Sequence, residues 1–196
     1  MGHDVAMAAA SENPVPNQPV PDVPVPDVKD WTWVLDAQCA ECGFEAGSFE
    51  RDELGDLLRE NVVAWSELLR GDETSLKVRP QPAVCPPLEY SCHVRDVFAL
   101  YQVRLDLMLN EDDARYANWD QDVTAIEQRY DLAVADKVRA ALEPAGAQLA
   151  ASFDAVAGDQ WDRTGFLSDG ARFMIETFGR YLLHDPVHHL HDAGWG

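Results

Sequence analysis

Apolar residues recur every three or four positions in four stretches of the chain, the spacing that lays a buried stripe along one face of an α-helix. From Leu54 the first stripe runs through Leu57, Leu58, Val62, Trp65, Leu68 and Leu69, and it stops at Arg70-Gly71, a cation followed by a helix-ending glycine. Pro86-Pro87 opens a second helix, since proline is tolerated in a first turn, and Tyr90, Val94, Val97, Tyr101, Leu105 and Met108 carry it to about Asn110. Val134, Val138, Leu142, Ala145, Leu149 and Phe153 draw a third helix, in which Pro144 deletes a backbone hydrogen bond and predicts a kink. The last helix is predicted from about Ala171 to His189, with Met174, Thr177 and Tyr181 on the face that continues into His184 and His188. Residues 111–131 are too long for a simple turn and are expected to cover one end, and a second loop runs from Gly158 to Gly170. The economical fold is all-α, an up-and-down four-helix bundle with long covering loops.

Ahead of the helices, residues 11–28 carry proline at nearly every second or third position, which favours extended polyproline II geometry. Residues 1–29 therefore read as a disordered Pro-rich tail, a plain spacer before a ligand for a proline-recognising module, and residues 30–196 as one domain beginning at Asp30-Trp31-Thr32-Trp33. Hydrophobic residues make up 46% of the chain and include six Trp and seven Phe, enough to fill a bundle interior.

A formal net charge of −20 argues against nucleic acid and anionic membrane surfaces as partners. Charged residues interrupt every apolar run, so no membrane span is expected, and Met1 to Ala10 lacks the basic start and apolar run of a secretory signal. A cytoplasmic location is expected, with the four cysteines as reduced thiols or metal ligands.

Chemistry concentrates in the histidines. His184 and His188 are four apart, so on a helix they project from one face about one turn apart, and His93 is the histidine available from the other helices. Three imidazoles form a set that leaves positions on a metal open to water or substrate. Pro186 lies between the proposed pair and can kink the helix; Asp185 with His189, or His188 with His191, compete for the same role. The cluster is also compatible with a frayed, exposed terminus that binds nothing.

Two motifs, Pro87-Leu88-Glu89-Tyr90-Ser91-Cys92-His93-Val94-Arg95-Asp96 and His184-Asp185-Pro186-Val187-His188-His189, resemble the second-helix histidine motif and the closing H-x-x-x-H of the DinB-like superfamily. The likeness spans roughly residues 50–190. Asp30-Trp31-Thr32-Trp33, Asn118-Trp119-Asp120-Gln121-Asp122 and Ser168-Asp169-Gly170-Ala171-Arg172-Phe173 resemble an actinobacterial branch related to mycothiol-dependent maleylpyruvate isomerase. The resemblance implies one divalent metal, zinc or nickel, on His93, His184 and His188 in a homodimer. It also implies chemistry that joins a low-molecular-weight thiol such as mycothiol to a small electrophile. Cys85-Pro86-Pro87 and Pro186 depart from the pattern. A non-catalytic, metal-stabilised module for small-ligand binding or dimerisation is the alternative.

Cys39-Ala40-Glu41-Cys42-Gly43 carries two thiols at a spacing that grips zinc from a tight turn, which makes Cys39 and Cys42 half of a possible second zinc site. No strand and helix pattern of a thioredoxin surrounds the pair. Trp119 with Asp120, Arg163 beside Trp161, and Tyr181 are candidate cavity-lining residues, weighed against a plain role in anchoring loops. The acidic runs Glu111-Asp112-Asp113 and Asp120-Gln121-Asp122 lack EF-hand spacing and read as solvated charge. No protein general base is assignable from spacing.

Overall fold

The computed structural model describes residues 31–81, 84–168 and 170–195. The expected Pro-rich tail, residues 1–29, lies outside the described residues. Six α-helices are described: α1 (Leu54–Leu68), α2 (Glu73–Leu76), α3 (Pro87–Asn110), α4 (Gln121–Glu127), α5 (Ala135–Asp154) and α6 (Ile175–Asp192). The four long ones form the bundle.

The stripes on α1 and α3 are buried as their spacing requires: Leu54, Leu58, Val62, Trp65 and Leu68 from α1 share one core with Val94, Val97, Phe98, Tyr101, Leu105 and Met108 from α3. Both α5 and α6 pack against α1 and α3, so the order around the ring is α1, α5, α3, α6. Consecutive long helices are thus ring neighbours only at the α3-to-α5 step, and the other two connections cross the bundle.

The close approach of three helices is set by Gly146 of α5. A Cβ there would run into Val62 of α1 and stand 3.0 Å from the Phe98 ring of α3. Helix α5 continues through Pro144 and α6 through Pro186 without ending. In α6, the indole Nε1 of Trp65 donates to the Pro186 carbonyl at 3.1 Å and ties that turn to α1.

The two covering loops hold a small sheet that periodicity does not announce. Strand β1 (Ala114–Arg115) pairs in parallel with β2 (Thr164–Phe166), which pairs antiparallel with β3 (Arg172–Met174). Elements of two or three residues are too short for a period-two signal. The last helix consequently begins at Ile175 rather than near Ala171, and it extends to Asp192. Thr177 marks the start, accepting the Met174 N–H on its hydroxyl at 3.0 Å.

Phase is the second correction to α6. The expected face of Met174, Thr177 and Tyr181 is not the one that carries the apolar core; that face has Ile175, Phe178, Leu182 and Pro186, and Met174 is 38% exposed. At about 100° per residue, Asp185 and His189 continue the line of this stripe and are partly buried, whereas His184 and His188 project from another face, where they are buried.

Candidate metal centre

The phase of α6 decides which histidines meet. Toward the bundle, Asp185 and His189 face His93 on α3; one donor atom from each lies within 4.8 Å of the other two. On the other side, His184 and His188 group with Cys39 and Cys42, one donor atom from each within 4.8 Å of the others. The three histidines expected around one ion are therefore divided between two donor groups, because residues 184 and 185 are turned by about 100° from each other.

In the first group the Nε2 of His93 stands 3.2 and 3.3 Å from the two Asp185 oxygens. Burial by itself would raise the Asp185 carboxyl, but the neighbouring imidazoles of His93 and His189 outweigh it and hold the group at about 2. It is an anion at neutral pH. Stacking fixes the imidazoles: His93 lies on the Trp119 ring at 5.3 Å and 15°, and His189 on Tyr90 at 4.6 Å and 25°. The His93 side chain is 10% exposed and that of Asp185 34%, so solvent reaches the group past the carboxylate.

Two imidazoles and one carboxylate on facing helices match a set used by zinc and by redox-active divalent metals, with positions left open. The donor chemistry fits a divalent ion. The sequence missed Asp185 and His189 as partners of His93, although it offered them as competitors; the unused signal was the stripe Ile175, Phe178, Leu182, which points to 185 and 189.

In the second group both histidines are buried, His184 at 4% and His188 at 7%, which rules out a frayed terminus. Burial lowers His184 to about 4, with His188 adding to the effect, and it also lowers His188. Cys39 is buried and Cys42 half-buried, both as free thiols.

The remaining sequence candidates have separate duties. Trp119 is at the site, stacked on His93, and its Nε1 donates to Thr124 Oγ1 at 2.7 Å. Asp120 is the cap of α4, accepting from the Val123 N–H at 2.9 Å. Arg163 donates from Nε to the Met108 carbonyl at 2.6 Å and pairs with Asp112 at 3.1 Å, so it pins the loop to the end of α3. Tyr181 packs on Phe173, ring centres 5.1 Å apart, one turn before Asp185.

Neither a protein-family model nor a curated protein matches the chain. Among solved structures, it is similar to YfiT from Bacillus subtilis, described as a probable metal-dependent hydrolase with an unusual four-helix bundle topology. The match has a TM-score of 0.67 and 16% identity, covering 76% of this chain and 88% of that one. The likeness is one of fold, and it agrees with the four-helix bundle expected from the stripes.

Proposed function

We propose that this chain is a metal-dependent enzyme that holds one catalytic divalent ion, zinc or nickel, on His93, Asp185 and His189. We propose further that it joins a low-molecular-weight thiol of the mycothiol type to a small electrophile. The observation that carries the reading is the convergence of His93 Nε2 with the Asp185 carboxylate at 3.2 Å across α3 and α6, with a His189 donor in the same group. The description of YfiT as a probable metal-dependent hydrolase supports metal dependence, and the resemblance of the histidine motifs supports the thiol.

When bound, the ion supplies Lewis acidity, lowering the pKa of a thiol or water placed on it. The chain's own residues prepare that site. Asp185 stays ionised and offsets part of the cation's charge. His189 presents Nδ1 to Asp192 Oδ2 at 3.4 Å, a carboxylate contact that orients the ring beside the donor group. Trp119 and Tyr90 give aromatic walls that hold the two imidazoles in place and offer apolar contact to a small electrophile.

The test compares wild type with His93→Ala and Asp185→Ala. Each variant should lose one metal equivalent and the mycothiol-dependent consumption of a panel of electrophiles. Retention of full metal content by both would remove the reading. Metal-dependent turnover of esters or amides without added thiol would keep the centre and assign the nucleophile to water.

A further inference from the structure

We propose that Cys39, Cys42, His184 and His188 form a second, structural zinc site that clips the N-terminal segment onto α6. The inference is independent of the catalytic reading, since it uses none of the residues assigned to the catalytic ion.

The four donors come as C-x-x-C and H-x-x-x-H, and one atom from each lies within 4.8 Å of the other three. Two thiolates and two imidazoles are a set that zinc takes in closed tetrahedral sites. Cys39 Sγ stands 3.7 Å from His188 Nδ1. Sulfur and nitrogen ligands on one tetrahedral zinc are about 3.6 Å apart, from bonds of about 2.3 and 2.05 Å. The existing separation already matches.

The surrounding groups favour the ligating form of both histidines. His188 Nε2 faces Glu41 Oε2 at 3.3 Å and Asp192 Oδ2 at 3.6 Å, so its proton belongs there and the Nδ1 lone pair faces the thiol. His184 Nε2 is buried and has no hydrogen-bond partner among the described residues. A buried orphan of this kind is costly, and coordination through Nε2 would remove the penalty.

The thiols sit on a turn built to present them. The Cys39 N–H donates to the Phe44 carbonyl at 2.8 Å, and the Gly43 N–H donates to the Cys39 carbonyl at 2.9 Å. Gly43 has φ +77°, a left-handed conformation that closes the turn directly after the second cysteine. Burial pushes the Cys42 thiol up to about 11 and outweighs the Phe44 backbone N–H on its sulfur, so this thiol stays protonated until a cation arrives. Trp31 packs 5.3 Å from the His184 ring and 5.1 Å from that of His188, and Phe44 lies 5.4 Å from His184. This aromatic cover and four protein ligands leave no position for substrate. Zinc binding would displace both thiol protons to solvent, and the two thiolates would balance its charge.

Cobalt substitution of the full chain gives a direct test. Cobalt-loaded wild type should show a thiolate-to-cobalt charge-transfer band in the near ultraviolet and strong tetrahedral ligand-field bands in the visible. Both should persist in His93→Ala, which lacks the other centre, and the charge-transfer band should vanish in the variant that combines Cys39→Ser and Cys42→Ser. Because that variant could misfold, wild type is also alkylated with iodoacetamide under reducing conditions. Zinc should protect Cys39 and Cys42, and a chelator should abolish the protection. Absence of the charge-transfer band from every cobalt-loaded form, or alkylation of both thiols at one rate with and without zinc, would overturn the proposal.

Discussion

Oδ2 of Asp192 lies 3.4 Å from Nδ1 of His189, and the same oxygen is 3.6 Å from Nε2 of His188. One carboxylate on the last turn of α6 thus faces an imidazole from each donor group. The contact orients His189 through Nδ1, whereas at His188 Nε2 the carboxylate of Glu41, 3.3 Å away, is the nearer partner.

Replacing Asp192 with Asn keeps the size and removes the charge. Loss of an orienting carboxylate weakens metal affinity by about 10- to 100-fold. For Asp192→Asn we expect a loss of that order at the His189 centre and a smaller one at the His188 centre, where Glu41 remains, read by competition with a chromogenic chelator. An unchanged affinity at the His189 centre would show that the carboxylate does not orient that imidazole.

How much of this is legible in the sequence depends on length and phase. The stripes Leu54 to Leu69 and Tyr90 to Met108 are long enough for the helical period to emerge, and Pro87 marks the start of α3 as its missing donor dictates. Strands of two or three residues leave no such trace. His184 with His188 and Asp185 with His189 have identical spacing, so only the phase of Ile175, Phe178 and Leu182 separates them. Cys39 and Cys42 look like half a site in sequence because their partners lie about 145 positions away, a distance that folding alone closes.

Gly43 offers a stability test of the cysteine turn. An added Cβ there meets nothing within 4 Å, so Gly43→Ala exacts only the left-handed backbone cost of about 1–2 kcal/mol. For a domain of this size that lowers Tm by about 2–8 °C. Calorimetry should find the drop in the zinc-loaded protein and a smaller one after chelation, when the turn is free to relax. Equal drops in both forms would separate the turn from the metal.

Gly146→Ala reverses the usual sign of a helical substitution. In an exposed helix interior alanine gains about 1 kcal/mol over glycine. Here the new methyl meets the stiff Val62 side chain and the Phe98 ring where α1, α3 and α5 converge. Overpacking of that kind costs about 1–3 kcal/mol. Chemical denaturation should show net destabilisation, partly recovered in Gly146→Ala with Val62→Ala; a stabilised single variant would mean that the helices shift apart freely.

Zinc removal should release the N-terminal segment in part, not as a whole. Residues 46–53 have a second attachment: Arg180 donates to the carbonyls of Ala46 and, at 2.9 Å, Phe49. Its guanidinium also pairs with Glu176 at 3.0 Å and lies over the Phe49 ring at 4.9 Å. Residues 39–44 instead meet α6 through the cysteine and histidine group and the aromatic rings on it. Chelation should therefore speed hydrogen exchange at the Cys39 and Gly43 amides while those of Ser48 and Glu53 keep their protection. Arg180→Leu should give the converse pattern as long as zinc is bound. Exchange that rises equally across residues 39–53 on chelation would mean that the Arg180 contacts hold only while the metal does.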